Sequence, residues 1–152
     1  MTYYVEGEDD LLVAAFEHTF SRVNERASHA IGDLTGLEAI RLLCLETLPL
    51  DEERRVESRV AAACWDRPSA RLRKVHADAV ATWRTRMARE LEAARRAGSV
   101  VSDLPDSRII DEFLAVATAS RVVPTLEPGS AESPGHVERL DTIIAGLGGP
   151  AG

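Results

Sequence analysis

The stretch SARLRKVHADAVATWRTRMARELEAARRAG, Ser69–Gly98, decides the fold. Leu72, Val75 and Ala79 run on into Val80, Trp83, Met87 and Leu91, mostly in steps of three and four, which lays an apolar stripe along one side of a helix. Ser69 is an N-capping residue type, and Gly98 suits the left-handed position that follows a helix end. A helix reaching from Ser69 to about Ala97 would extend about 43 Å at 1.5 Å per residue. Its charges, Arg71, Arg73, Lys74, Arg84, Arg86, Arg89, Glu90, Glu92, Arg95 and Arg96, lie mostly off the stripe, which predicts a solvated face rather than a nucleic-acid contact.

Working back from this helix, Asp51 can cap a third helix whose acidic opening Asp51, Glu52 and Glu53 suits the helix dipole. Val56, Val60, Ala63 and Cys64 form its predicted stripe, and Pro68 marks its end. A second helix spans about Leu37 to Leu48, with Leu37, Ile40, Cys44 and Leu48 aligned, and Pro49 stops it. The first runs from about Glu8 to Ile31, with Asp9 and Asp10 in its opening turn and Gly32 after its end. Leu12, Phe16, Phe20, Val23, Ala27 and Ile31 make its face.

Working forward, a short linker from Ser99 to Pro105 leads to a fifth helix opened by Asp106 or Ser107. Ile109, Ile110, Phe113, Leu114, Ala117 and Ser120 give it a broad apolar or small face, and Pro124 either kinks or ends it. A loop from Glu127 to Gly135 precedes a last helix carrying Val137, Leu140, Ile144 and Leu147. The tail 148–152 is expected to fray. The sequence thus predicts an all-α bundle of about six helices with no strand.

At 152 residues the chain fits one domain with a sizeable core. No apolar run reaches the ~18 residues of a membrane span, and the acidic opening is unlike a secretory signal, so a cytoplasmic protein is expected. The net charge is −7 and the pI about 5.1. A free-standing nucleic-acid binder usually carries a basic face, so this chain by itself should bind DNA poorly. Lys74 is the one lysine among 18 cationic residues, a bias consistent with a GC-rich bacterial coding sequence.

Chemical signatures are few. His18, His29, His76 and His136 lie in separate segments, and Cys44 and Cys64 lack a Cys-x-x-Cys spacing, so neither a metal nor a disulfide framework is expected. There is no phosphate-binding glycine loop and no nucleophile elbow. An enzyme is not expected, and no cofactor is implied. The aromatic residues of the core-facing stripes read either as plain packing or as the lining of a cavity between helices. On the second reading the candidate pocket consists of Phe16, Phe20, Cys44, Val60, Cys64, His76, Val80, Trp83, Met87 and Phe113. The last two helices either close the chain's own core or pair with a second copy as a four-helix bundle. The candidate dimer face is Ile110, Leu114, Ala117, Arg121, Val137, Leu140, Ile144 and Leu147.

Three segments carry a resemblance. Tyr3-Tyr4-Val5-Glu6-Gly7-Glu8-Asp9-Asp10-Leu11-Leu12-Val13-Ala14-Ala15-Phe16 resembles the junction of TetR/AcrR-type repressors, where an aromatic pair ends the recognition helix and an acidic-then-leucine helix follows a short turn. Leu48-Pro49-Leu50-Asp51-Glu52-Glu53-Arg54-Arg55-Val56-Glu57, leading to Trp65, and Ala97-Gly98-Ser99-Val100-Val101-Ser102-Asp103-Leu104, leading through Pro105-Asp106 to Leu126-Glu127-Pro128, resemble segments of that family's regulatory domain. Thr118-Ala119 departs from the acidic-glycine pair of many relatives. The DNA-reading head of such proteins would need about forty residues before Tyr3. Its shortage here would follow from a start assigned too far downstream, a trimmed chain or a naturally headless protein.

The resemblance divides the chain into a junction remnant at 1–7, a regulatory domain at 8–147 and a tail at 148–152. It implies a homodimer that binds a small apolar effector. Operator DNA would be met only through the missing helix-turn-helix, with the first regulatory helix transmitting the ligand signal. The alternative is a headless helical module that binds a small molecule or heterodimerises without touching DNA.

Overall fold

A computed structural model describes residues 2–65, 69–126 and 134–148. Among them the chain is all-α, with six helices and no strand: α1 Thr2–Ile31, α2 Leu37–Leu45, α3 Glu52–Trp65, α4 Ala70–Arg96, α5 Asp106–Leu126 and α6 Pro134–Leu147. No helix among the described residues is long and apolar enough to cross a membrane.

The expected punctuation explains α4 closely. The Ser69 hydroxyl accepts from the Leu72 backbone N–H at 3.3 Å, satisfying one orphan donor of the first turn. At the other end Ser99 N–H donates to Ala94 O at 2.9 Å and Gly98 N–H to Arg95 O at 3.0 Å. These paired bonds turn the chain through Gly98, whose φ is 76°. Leu72, Ala79, Trp83, Met87 and Leu91 are buried, as the stripe predicts.

Several boundaries differ from expectation. α1 begins at Thr2, so residues 2–10 are helical throughout, and no turn separates Tyr3-Tyr4 from the rest of α1. Asp9 and Asp10 therefore sit inside the helix rather than in its first turn, and the Asp10 carboxylate pairs with Arg71 of α4. α2 ends at Leu45, three residues short of Leu48, because Thr47 N–H and Leu48 N–H turn back to Cys44 O and Leu45 O. Asp51 does cap α3, accepting from Arg54 N–H at 2.8 Å. The buried side of α3 is Ala61 and Cys64, however, whereas Val56 and Ala63 are exposed. α5 continues past Pro124 to Leu126, and α6 opens at Pro134, where a missing N–H costs nothing. The expected loop lies within residues 127–133 for the most part, outside the described residues, as does the tail beyond Gly148.

Among the described residues, two apolar clusters make up the interior. The larger joins Val23, Ala27 and Ile31 of α1, Ile40, Leu43 and Cys44 of α2, and Trp83, Met87 and Leu91 of α4. Ile109, Ile110 and Phe113 of α5 and Leu140 and Leu147 of α6 complete it. The smaller joins Val13 and Phe16 of α1 with Ala61 and Cys64 of α3 and Leu72 and Ala79 of α4. Phe20 packs against both.

Polar contacts lock the helices in register. Glu90 was expected on the solvated face of α4, yet its side chain is buried and accepts from Gly36 N–H at 2.9 Å. A carboxylate there meets the N-terminal end of α2. On α1, Arg26 donates to both carboxylate oxygens of Glu57 at 2.7 Å and to Glu46 at 3.0 Å. Arg54 of α3 also reaches Glu46, at 2.8 Å, so one carboxylate ties α1 and α3 to the end of α2. Arg95 holds the α4–α5 connection through Asp106 and the carbonyls of Ser102 and Leu104.

Candidate ligand cavity

The seam between the two clusters is not filled. A cavity of about 250 Å³ opens there, walled by Phe16, Phe20 and Val23 of α1 and Ala61 and Trp65 of α3. The other walls are His76, Ala79, Val80, Trp83 and Arg84 of α4 and Leu114, Ala117, Thr118 and Arg121 of α5. The cause is a mismatch of side-chain size. Three of the lining positions, Ala61, Ala79 and Ala117, carry only a methyl group, and close packing would need longer side chains there. The volume lies just below that of ordinary ligand sites, which run from roughly 300 Å³ upward, and suits a molecule of one or two fused rings.

The aromatic wall is ordered by specific contacts. Phe16 and Phe20 lie nearly parallel, with ring centroids 6.2 Å apart and an interplanar angle of 5°. The His76 ring lies 5.7 Å from Phe16 and stands edge-on to Trp65 at 5.4 Å. Trp65 Nε1–H donates to His76 Nε2 at 2.7 Å, so in the neutral imidazole the proton sits on Nδ1. Burial, reinforced by the charge of Arg121, lowers the pKa of His76 and favours that neutral form.

Trp83 contributes a different feature. It is only 5% exposed, and its Nε1–H is the one buried side-chain polar atom among the described residues without a hydrogen-bond partner. A buried donor left unmade costs of the order of 1–3 kcal/mol, so such groups usually signal a bound water or ligand. Among the described residues that line the cavity, the charged side chains are those of Arg84 and Arg121. Arg84 pairs with Asp111 at 2.6 Å, and burial lowers the pKa of the Arg121 guanidinium.

The sequence-predicted lining is brought together in part. Phe16, Phe20, His76, Val80 and Trp83 do line the cavity. Cys44, Met87 and Phe113 do not: each is at most 1% exposed inside the larger cluster. Met87 lies one helical turn beyond Trp83, and α2, which carries Cys44, contributes no wall. Cys64 is packed in the smaller cluster, and Val60 is half-buried on α3 without reaching the cavity.

The expected dimer face also divides. Ile110, Leu140 and Leu147 are buried within the single chain, which leaves them no surface for a partner. Leu114, Ala117 and Arg121 turn to the cavity, while Val137 and Ile144 are half-buried on α6. Ala61, Trp65, Ala79, Arg84 and Thr118, with Val23, were not anticipated as lining. The available signals were alanines on core-facing stripes and Arg121, a cation in step with Leu114 and Ala117 on an apolar helix face.

Among the described residues, no group of three or more His, Cys, Asp or Glu is placed to hold a metal ion. No known family model matches the sequence, and no curated protein matches it either.

Proposed function

We propose that this chain is the effector-binding, dimerising regulatory part of a TetR-type repressor, in which a small molecule in the cavity controls DNA binding by the intact protein. The observation that carries this reading is the position of the cavity against α1. In repressors of this type the first regulatory helix joins the DNA-reading head, so a ligand pressing on Phe16, Phe20 and Val23 acts on the transmitting element. Regulation then requires that the ligand bind the released arrangement better than the DNA-competent one. The resemblance of the Leu48–Glu57 and Ala97–Leu104 segments supports the same reading.

The test pairs calorimetric titration with naphthalene, a ring system of suitable size, with sedimentation equilibrium. Saturable one-to-one binding and a mass twice the 16.5 kDa of one chain are expected. A monomer that binds no aromatic probe would overturn the reading.

The net charge of −7 favours a second reading for the chain taken alone, a helical small-molecule-binding or heterodimerising module that does not touch DNA. In-frame codons upstream of Met1 encoding a basic helix-turn-helix support the first reading, and an in-frame stop there supports the second.

A further inference from the structure

The Trp83 indole N–H can only donate, and folding leaves it buried with nothing to donate to. Nearly every buried donor has a partner, so this one marks an interaction still to be made. Trp83 packs within the larger cluster and also borders the cavity. A donor already stripped of water gains a hydrogen bond at no further desolvation cost of its own. The space beside Trp83 is therefore best filled by a molecule that carries an acceptor.

The wall offers that molecule no uncommitted counter-charge. Arg84 pairs with Asp111 at 2.6 Å, and Arg121 is already engaged within the chain. An ionic headgroup would give up its hydration with no partner reserved for it, whereas a neutral carbonyl needs only one donor. The Thr118 hydroxyl both donates and accepts, so it selects neither sense. The parallel Phe16 and Phe20 rings suit a flat, apolar body.

We infer that the cavity takes a neutral aryl ketone or ester of one or two rings, whose carbonyl oxygen accepts from Trp83 Nε1–H. The inference rests on the cavity being the effector site and goes further by naming the ligand's chemical class and the residue that reads it. Trp83 is then a specificity-determining residue as well as a packing one.

The probes are 2-acetonaphthone and 2-isopropenylnaphthalene, which share a shape and differ in C=O against C=CH2. Each is titrated calorimetrically against the full chain and its Trp83→Phe and Thr118→Val variants, with naphthalene-2-carboxylate as the charged probe. The ketone loses more hydration than the alkene in any apolar site, so the readout is how their affinity ratio changes between proteins. Trp83→Phe keeps a ring but removes the N–H. It should weaken the ketone about tenfold and leave the alkene within about twofold, the difference a lost hydrogen bond makes. Thr118→Val should leave the ratio unchanged, and the carboxylate should bind the parent chain at least about tenfold more weakly than the ketone.

A second measurement needs no change at Trp83. The sequence has two tryptophans, so a nitrogen–proton correlation spectrum shows two indole signals, and Trp65→Phe identifies the one from Trp83. That signal should move downfield with the ketone and much less with the alkene. If both neutral probes bind but Trp83→Phe weakens them equally and the indole signal answers them alike, the inference is overturned while the cavity reading stands. A ketone preference lost in Thr118→Val instead assigns the acceptor to the hydroxyl and overturns it as well. A carboxylate that binds as tightly as the ketone overturns the neutral class. If no probe binds, the effector-site reading falls too.

Discussion

The indole N–H of Trp65 donates to Nε2 of His76 at 2.7 Å, joining the last turn of α3 to the second turn of α4 at the cavity wall. The bond requires an unprotonated Nε2, and a protonated imidazole would present a second donor to the indole. Burial and the nearby Arg121 charge already lower the pKa of His76 from its ordinary 6.5. The unfolded chain therefore takes up this proton before the folded chain does. The contribution to stability is complete above pH 6.5 and declines as pH falls toward the folded-state value. Urea midpoints at about pH 7.5 and about pH 5.5 should fall further apart in the parent protein than in His76→Gln, which cannot titrate. His136, also lowered by burial, is present in both proteins and cancels in the comparison. Equal differences would show that His76 is not the sensor.

Arg26 and Glu57 bind α1 to α3 by two parallel hydrogen bonds, and Glu46 completes the arginine's donor set. Arg26 is a quarter exposed and Glu57 about an eighth, so solvent screens the pair less than a surface bridge. The hydrogen bonds that Arg26 donates to Glu57 hold the Arg26 pKa well above its ordinary value. Glu57→Gln keeps the shape but removes the charge, and should cost about 1–2 kcal/mol in denaturant unfolding, above the typical surface pair. A loss indistinguishable from zero would mean the geometry confers no net stability.

Most of the fold was legible because helices declare themselves locally. The stripe and caps around Ser69–Gly98 need only neighbours in sequence, and burial of Trp83, Met87 and Leu91 followed from spacing alone. The cavity was only half legible. It is lined by alanines and rings from four helices together, a relation between segments far apart in sequence. Periodicity placed Met87 and Phe113 on inward faces correctly, but it could not tell a solid interior from a hollow one a turn away. Glu90 misled for the same reason. A glutamate on a charged helix reads as solvated until the chain at Gly36 folds over it.

That contact gives its own prediction. Gly36 has φ of 73°, and a methyl group added there would lie 3.5 Å from Ala94 Cα, an ordinary contact. The cost of Gly36→Ala is therefore conformational, about 1–3 kcal/mol, because φ 73° with ψ −143° is a combination that residues with a Cβ rarely adopt. Glu90→Ala acts through the same hydrogen bond, leaving the Gly36 N–H without its acceptor, at a similar cost of about 1–3 kcal/mol. Combined, the two changes should cost less than their sum, because a Gly36→Ala backbone that shifts to relieve its strain already weakens the N–H bond that Glu90→Ala removes. Strict additivity in thermal or urea unfolding would contradict that coupling.

Cys44 is 1% exposed, and burial pushes its thiol pKa up to about 12. Cys64 is 4% exposed, and its pKa is raised by the same cause. The thiolate is the reactive form, so neither residue should react with a disulfide reagent at mildly alkaline pH while the chain is folded. In denaturant both of the sequence's two cysteines should titrate. Rapid native labelling of Cys64 would show that the α3–α4 side opens far more readily than its packing implies.

Leu114 and Phe113 are adjacent in sequence yet test opposite properties of the interior. Phe113 is fully buried in the larger cluster, and Phe113→Ala should cost about 3–5 kcal/mol through lost contacts and a new void. Leu114 is only half-buried and borders space that already exists. Leu114→Trp should therefore be accommodated within about 1 kcal/mol, where the same enlargement in a filled core would typically cost 1–3 kcal/mol. Because the added ring occupies the cavity, naphthalene binding should weaken by at least about tenfold, a change of 1.4 kcal/mol or more. Loss of binding with stability retained ties the ligand to this space. A severely destabilised Leu114→Trp, or one that binds naphthalene as before, would mean that the seam between the clusters is closed in solution or that the probe sits elsewhere.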